Sequence, residues 1–239
     1  IYFIRQNKEK QAQQAKELGI NGCDDYDSLI ENSDILFLGV KPVVFPTLLP
    51  QIAKSVKKKN PLVVSMAAGL TTDSIKEMLG YDAKIIRIMP NVNAAIAMST
   101  TAVCKNEFAS DEDLATIKNL FSTIGLTTEV PENQFAIFTA IAGCSPAYVY
   151  MFIDGLARGA QKMGMNKQKA LEIAASAVIG SASMYAQSNE HPQELVDKVC
   201  SPGGTTIEGV TTLEEYKFTA GVVKAVENSI LKDRELSKK

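Results

Sequence analysis

The sequence predicts an α/β fold in two parts, a doubly wound parallel sheet followed by an all-helical part. Up to about residue 130, short apolar runs alternate with segments of helical length, which is typical of a parallel sheet covered by helices. After Pro131 the strand signals stop and one helix follows another. We therefore expect two domains, residues 1–130 and residues 131–239, with the boundary near Glu129 to Pro131.

Six runs of apolar or β-branched residues in the first part have the length of strands. The run from Asp34 to Val40 is apolar after its first residue, as in a strand that is buried on both faces of a parallel sheet. Lys41 and Pro42 end it. The predicted strands are 1–4, 34–40, 61–66, 84–89, 101–105 and 127–130.

Residues that start and stop helices separate these strands. Ser110 is an N-cap, Gly19 and Gly80 end helices in the left-handed conformation, and Pro146 and Pro192 occupy first turns, where a missing N–H group costs nothing. The predicted helices are 8–18, 28–33, 44–56, 72–79, 110–124, 132–141, 146–163, 167–187, 192–199 and 218–236.

The helical part is dense in small residues and has few large residues to fill a core. Small residues let helices approach closely, so we expect this part to complete its core against a second copy of the chain, as a homodimer. A compact monomeric bundle is the alternative. The small residues are Gly155, Ala157, Gly159, Ala160, Ala174, Ala175, Ser176, Ala177, Gly180, Ser181, Ala182 and Ser183.

Composition limits the partners of the protein. The 239 residues include 25 Lys and Arg and 27 Asp and Glu, and this net charge of −2 gives no reason to expect nucleic acid or an anionic membrane as a partner. Asp, Lys, Arg or Gly interrupts each apolar run, so we expect no membrane span. The segment from Ile1 to Arg5 lacks the features of a signal peptide and does not start with Met. We expect the chain to be processed, truncated or seen only in part.

Four cysteines, Cys23, Cys104, Cys144 and Cys200, lie far apart and form no CxxC pair. The sole histidine, His191, stands where a helix begins rather than in a catalytic position. This arrangement predicts reduced thiols in a cytoplasmic protein and no metal site.

The stretch from Cys200 to Val210, with the sequence CSPGGTTIEGV, is the candidate binding loop. Gly203 and Gly204 let the backbone approach a ligand, and helical character begins near Ile207. A glycine loop that opens a helix aims unpaired N–H groups and the positive end of the helix dipole at one point, which suits a carboxylate or phosphate. Alternatively, these residues form only a Ser-Pro turn and a flexible hairpin.

Ligands of open parallel sheets bind beyond the carboxyl ends of the strands. Here the first predicted strand is followed by an arginine and two amide residues, the next by a lysine, and the third by small residues. Such residues at the strand ends suit a nucleotide. Arg5 stands where a 2′-phosphate is often met and favours NADP over NAD, although a solvated surface charge is the alternative. No G-x-G-x-x-G occurs, so we expect the chain to open at the second strand of a dinucleotide fold. The strand-end residues are Arg5, Gln6, Asn7, Val40, Lys41, Pro42, Ala67, Ala68, Gly69, Pro90, Asn91, Val92 and Asn93.

Taken together, these residues resemble the pyrroline-5-carboxylate reductase family, the enzymes of the last step of proline biosynthesis. The resemblance runs through almost the whole chain, and its last motif is the signature of the family. The motifs that carry it are Val40-Lys41-Pro42, Ala67-Ala68-Gly69, Arg87-Ile88-Met89-Pro90-Asn91, Ser145-Pro146-Ala147-Tyr148, His191-Pro192-Gln193-Glu194-Leu195 and Cys200-Ser201-Pro202-Gly203-Gly204-Thr205-Thr206-Ile207-Glu208.

The resemblance implies an α/β fold: a Rossmann-like parallel sheet domain, incomplete at its N-terminus, and then an all-α dimerisation domain that builds homodimers and larger rings of dimers. It implies reduction of the cyclic imine 1-pyrroline-5-carboxylate to L-proline with a hydride from NADPH, or from NADH. It places the cofactor against Arg5, Gln6, Asn7, Val40, Lys41, Pro42, Ala67 and Asn91. It places the substrate carboxylate against Ser201, Gly203, Gly204, Thr205 and Thr206. Thr206 is the implied catalytic residue, which hydrogen-bonds the ring nitrogen.

Two departures from the family pattern bear on the site. Val92 and Asn93 follow Asn91 where the family has Asn-Thr-Pro, so we expect a polar nicotinamide contact to be lost or replaced. The glycine-rich loop of the family lies upstream of Ile1, and we expect a form without it to bind dinucleotide poorly and to be inactive. Two alternatives stay open: a non-catalytic protein that binds proline-like ligands, and a related imine or β-hydroxyacid reductase.

Overall fold

The structure, a computed structural model, describes residues 1–236. The Cα positions group into two compact units, one made of residues 1–143 with residues 230–236, and the other of residues 144–229. The first unit contains all the strands found in the described residues. They are β1 (Tyr2–Phe3), β2 (Asn21–Gly22), β3 (Ile35–Leu38), β4 (Leu62–Ser65), β5 (Ile85–Met89), β6 (Ser99–Lys105) and β7 (Gly125–Glu129).

Helices separate most of these strands and make up the second unit. The helices are α1 (Lys8–Leu18), α2 (Tyr26–Glu31), α3 (Phe45–Lys59), α4 (Thr72–Leu79), α5 (Asp111–Ser122), α6 (Phe135–Phe138), α7 (Ser145–Lys162), α8 (Lys167–Gln187), α9 (Pro192–Val199), α10 (Thr205–Glu215) and α11 (Phe218–Leu236). The predicted bounds of α1, α4, α8, α9 and α11 are confirmed. The first four of these helices begin at a side-chain cap from the adjacent residue, which is a local signal. The predicted fold class is likewise confirmed.

The central sheet has five strands in the order β3-β4-β5-β6-β7, and it is parallel except for the β5–β6 pair. That pair is antiparallel, with Arg87 opposite Cys104, and corrects the expectation of a wholly parallel sheet. The connection between the two strands contains only a 3₁₀ turn, Val92–Ile96, whereas a parallel partner needs a crossover of a dozen residues or more. β1 and β2 pair separately in a small parallel sheet.

Apolar clusters cover both faces of the sheet, as a doubly wound fold requires. Successive side chains of strand β4 point to opposite faces of the sheet: Val63 packs with α3 and α4, and Val64 packs with α5. On the first face the largest fully buried side chain is Phe45. The edge strand β3 differs from the prediction of burial on both faces, because Phe37 remains 37% exposed beside Phe121.

The segment after β7 also differs from the prediction of one regular helix. Glu132–Gln134 is a 3₁₀ turn, α6 follows, and Thr139–Gly143 is a π-helical turn. Gly125, predicted to end a helix, instead begins β7, because α5 already stops at Ser122.

One helical run, Glu132–Lys162, is long and apolar enough to cross a membrane if length and composition alone are considered. The expectation that no apolar run reaches this length is therefore wrong for this stretch. Core helices of soluble proteins pass the same test, so the run does not place the protein in a membrane.

We predict that Gly125→Ala destabilises the protein by about 3 kcal/mol or more. The residue has a φ of +140°, and a Cβ atom there would overlap the backbone of Ser99 on the neighbouring strand. The matched control is Gly80→Ala, where φ is +69° and no atom lies within 4 Å of the new Cβ, with an expected cost of about 1 kcal/mol. The midpoints of urea unfolding measure both effects, and equal midpoints for the two variants would contradict the prediction.

Candidate active site

The N-terminal end of α10 starts from a glycine loop and has no side-chain cap among the described residues. Gly204 is the N-cap in extended conformation, and its N–H group donates to the carbonyl of Ser201 at 3.0 Å. Gly203 is left-handed, with a φ of +66°. A Cβ atom on Gly204 would overlap the hydroxyl of Ser201, which would have to rotate away, and would crowd the carbonyl of Ser201. The first-turn N–H groups of α10 thus suit an anionic ligand.

The structure brings the five sequence-predicted substrate residues together in this loop and the first turn of α10. Ser201, Gly203 and Thr205 are exposed, whereas Gly204 and Thr206 are half-buried. The backbone N–H groups that follow Gly204 and the hydroxyl groups of the loop can donate several hydrogen bonds to one small acid.

His191 is the N-cap of α9, at a helix start as the sequence predicts. Its Nδ1 accepts from the N–H group of Gln193 at 3.2 Å, while the carboxylate of Glu194 accepts from the N–H group of His191 at 3.0 Å. The imidazole is therefore committed to the first turn of α9.

Arg5, Gln6 and Asn7 are exposed between β1 and α1. The guanidinium of Arg5 donates to Oε1 of Gln14 at 2.7 Å, and its backbone N–H group donates to Oε1 of Gln11 at 2.8 Å. Oδ1 of Asn7 caps α1 by accepting from the N–H group of Lys10 at 2.9 Å. These contacts hold Arg5 at the carboxyl end of β1 with its charge open to solvent.

Val40, Lys41 and Pro42 are exposed after β3, where the backbone enters a 3₁₀ turn. Ala67 is buried after β4, and its N–H group donates to Oγ of Ser65 at 3.2 Å. All four residues follow the carboxyl ends of β3 and β4, which are parallel neighbours in the sheet. Open α/β sheets bind their ligands at this edge.

Asn91 follows β5, and its side chain already has two backbone partners. Nδ2 donates to the carbonyl of Ala142 at 3.0 Å, and Oδ1 accepts from the N–H group of Thr100 at 3.3 Å. Ala142 belongs to the π-helical turn, a distortion that is frequent at functional sites. Val92, which stands where the family has a threonine, is 64% exposed.

A polar cluster of two buried residues, Thr72 and Arg87, with the half-buried Glu132 was not predicted. Oε1 of Glu132 accepts from the N–H group of Thr72 at 2.8 Å and from Nη1 of Arg87 at 3.3 Å, and Oε2 accepts from the Thr72 hydroxyl at 2.9 Å. The guanidinium of Arg87 lies 4.4 Å from the ring centre of Phe135. The signal that could have revealed the cluster is the charge of Arg87 inside an otherwise apolar strand.

Burial raises the pKa of the neighbouring Cys104 thiol to about 12, and the negative charge of Glu132 adds to the effect. The thiol therefore stays neutral and does not act as a second anion beside Arg87.

Comparisons with known proteins agree with both parts of the chain. Residues 132–236 match the family model described as pyrroline-5-carboxylate reductase dimerisation, and residues 1–69 match the model described as NADP oxidoreductase coenzyme F420-dependent. The chain is 40% identical over 238 residues to the pyrroline-5-carboxylate reductase of Escherichia coli (strain K12), a match that covers 100% of this chain and 88% of that relative.

Solved structures agree with the sequence comparisons. The 1-pyrroline-5-carboxylate reductase of Streptococcus pyogenes superposes with a TM-score of 0.89 at 37% identity, over 98% of this chain and 88% of that one. The Plasmodium falciparum pyrroline carboxylate reductase with NADP bound superposes with a TM-score of 0.87 at 28% identity, over 99% of this chain and 87% of that one. By these matches in sequence and structure, the chain belongs to the pyrroline-5-carboxylate reductase family.

Proposed function

We propose that the protein reduces 1-pyrroline-5-carboxylate to L-proline with NADPH, the last step of proline biosynthesis. The single observation that carries the proposal is the uncapped start of α10, built from the family signature that begins at Cys200. The family membership reported above names the reaction.

The substrate carboxylate accepts hydrogen bonds from the N–H groups of Thr205 and Thr206, which follow Gly204, helped by the hydroxyl groups of Ser201 and Thr205. The N–H group of Gly204 itself holds the turn through Ser201. This contact holds a small ring in a fixed orientation, which is the main task of a protein when the cofactor carries the chemistry. The hydroxyl of Thr206 hydrogen-bonds the ring nitrogen, which must hold or gain a proton. A hydroxyl is a weak acid, so Thr206 orients this nitrogen more than it protonates it.

The nucleotide lies against the strand-end residues of the first unit. Bound NADPH supplies the hydride. Arg5 pairs with the 2′-phosphate, because its guanidinium is exposed and held by a neutral glutamine rather than by a carboxylate. The other residues that would hold the nucleotide are Gln6, Asn7, Val40, Lys41, Pro42, Ala67 and Asn91.

The helical part forms a homodimer. Within residues 144–229, the buried apolar side chains are small, while Tyr150, Met151, Ile179 and Met184 are exposed. A second copy of the chain would cover such exposed apolar side chains, and dimers can assemble into rings. We assign nucleotide binding to residues 1–130 and dimerisation with substrate binding to residues 131–239. A cytoplasmic location suits the four free cysteines.

The test of the function is NADPH oxidation by the full-length gene product with pyrroline-5-carboxylate. We expect imine-dependent oxidation that yields proline. A panel with linear imines and β-hydroxyacids distinguishes related reductases, and binding of proline without any oxidation would support a non-catalytic protein instead.

We predict that Thr206→Ala lowers kcat about a hundredfold with little change in unfolding temperature, because the ring nitrogen loses its hydrogen-bond partner. Thr206→Ser keeps the hydroxyl and is expected to retain most of the activity. Steady-state kinetics and thermal unfolding measure both variants, and equal kcat values for Ala and Ser would remove Thr206 from the mechanism.

We predict that Arg5→Ala lowers the preference for NADPH over NADH about tenfold, because a charge-assisted contact to the 2′-phosphate is lost. The matched control is Lys16→Ala, which removes an exposed cation from the last turn of α1. The ratio of kcat/KM for the two nucleotides is the readout. An unchanged ratio in Arg5→Ala would assign Arg5 to the solvated surface.

A further inference from the structure

A carboxylate from another segment occupies the N-terminal end of α4. Both oxygens of Glu132 accept hydrogen bonds from Thr72, one from its N–H group at 2.8 Å and the other from its hydroxyl at 2.9 Å. Charge-assisted bonds of this kind are strong, and the helix dipole favours a negative charge at this end. Glu132 therefore fixes the first residue of α4, from 60 positions away in the sequence.

Arg87 holds Glu132 in this position. Arg87 is 5% exposed on β5, and its Nη1 donates to Oε1 of Glu132 at 3.3 Å. The ring of Phe135 covers the guanidinium, and Nε of Arg87 is buried with no hydrogen-bond partner in the described part of the chain. Because a buried charge without its partner is costly, the pair restricts where Glu132 can lie.

The loop between β4 and α4 is consequently anchored at both of its ends. At its start, Ala67 is buried and donates its N–H group to Ser65. At its end, Thr72 is bound by Glu132. Between these anchors Ala68 is exposed at the carboxyl end of β4, and such small residues leave room for a flat ring at the edge where ligands of α/β sheets bind.

We propose that Glu132 is a positioning residue for the nucleotide: it holds the β4–α4 loop in the form that receives NADPH. The inference rests on the proposed function, because it takes the nucleotide to lie at this edge of the sheet. Glu132 acts through Thr72 and does not itself touch the nucleotide.

The experiment compares Glu132→Gln with Glu107→Gln in the full-length protein. Glu107 pairs with Lys76, which also lies on α4 but away from its first turn, at 3.3 Å. We expect Glu132→Gln to raise the Kd for NADPH, measured by fluorescence titration, about tenfold, equivalent to about 1.4 kcal/mol. We expect the control to stay within about twofold of the parent and the KM for the imine to stay within about twofold in both variants.

A second pair of variants keeps the test decisive if Glu132→Gln fails to fold. Thr72→Ser retains the hydroxyl that Glu132 binds, and Thr72→Val removes it. A Kd for NADPH that rises several-fold only in Thr72→Val supports the inference, whereas equal Kd values in the Ser and Val variants overturn it. A Kd in Glu132→Gln that matches the Glu107→Gln control also overturns it.

The outcomes separate this inference from the proposed function. A parent protein that binds NADPH but does not reduce the imine contradicts the function, while the binding titrations still decide the role of Glu132. A parent protein that fails to bind NADPH contradicts both.

Discussion

The first N–H groups of every α-helix have no acceptor within the helix. The acceptors that this chain provides at each helix start determine where an outside anion can bind. Side-chain oxygens of Asn7, Ser110 and Asn166 cap α1, α5 and α8 from the adjacent residue. The start of α4 receives the distant carboxylate of Glu132 in addition to its own cap. The start of α10 follows Gly204 and has no side-chain cap in residues 1–236. An anion that comes from solution can therefore satisfy α10, whereas side chains of the protein cap α1, α4, α5 and α8.

The two compact units carry different parts of the proposed site. In the first unit, a parallel-dominated sheet gathers the loops that follow β3 and β4 at one edge, because the carboxyl ends of parallel strands lie together. In the second, a glycine turn and the start of α10 concentrate backbone donors in a few residues.

Local signals made much of this fold predictable. The N-cap of α5 and the left-handed glycines after α1 and α4 lie next to the helices that they bound, so a short window of sequence contains all the information. The same holds for the CSPGG loop, whose glycines and threonines are consecutive. Even so, its link to one substrate came from the family resemblance, because a glycine loop alone indicates only an anion.

Non-local pairing was not predictable in the same way. The Arg87–Glu132 contact joins residues 45 positions apart, and the sequence around either residue does not indicate which residue it contacts. The antiparallel direction of β6 relative to β5 depends on the path of the chain between the two strands. The connection is too short to contain a full helix, and this shortness could have indicated an antiparallel pair. The π-helical turn at Thr139–Gly143 likewise departs from a sequence that reads as an ordinary helix.

The most direct test of the account is the position of bound proline in a crystal of the full-length protein. We expect the proline carboxylate to lie about 2.7–3.2 Å from the N–H nitrogens at the start of α10, with the ring nitrogen within hydrogen-bond distance of the Thr206 hydroxyl. A carboxylate bound elsewhere, with the amides after Gly204 left to solvent, would contradict it.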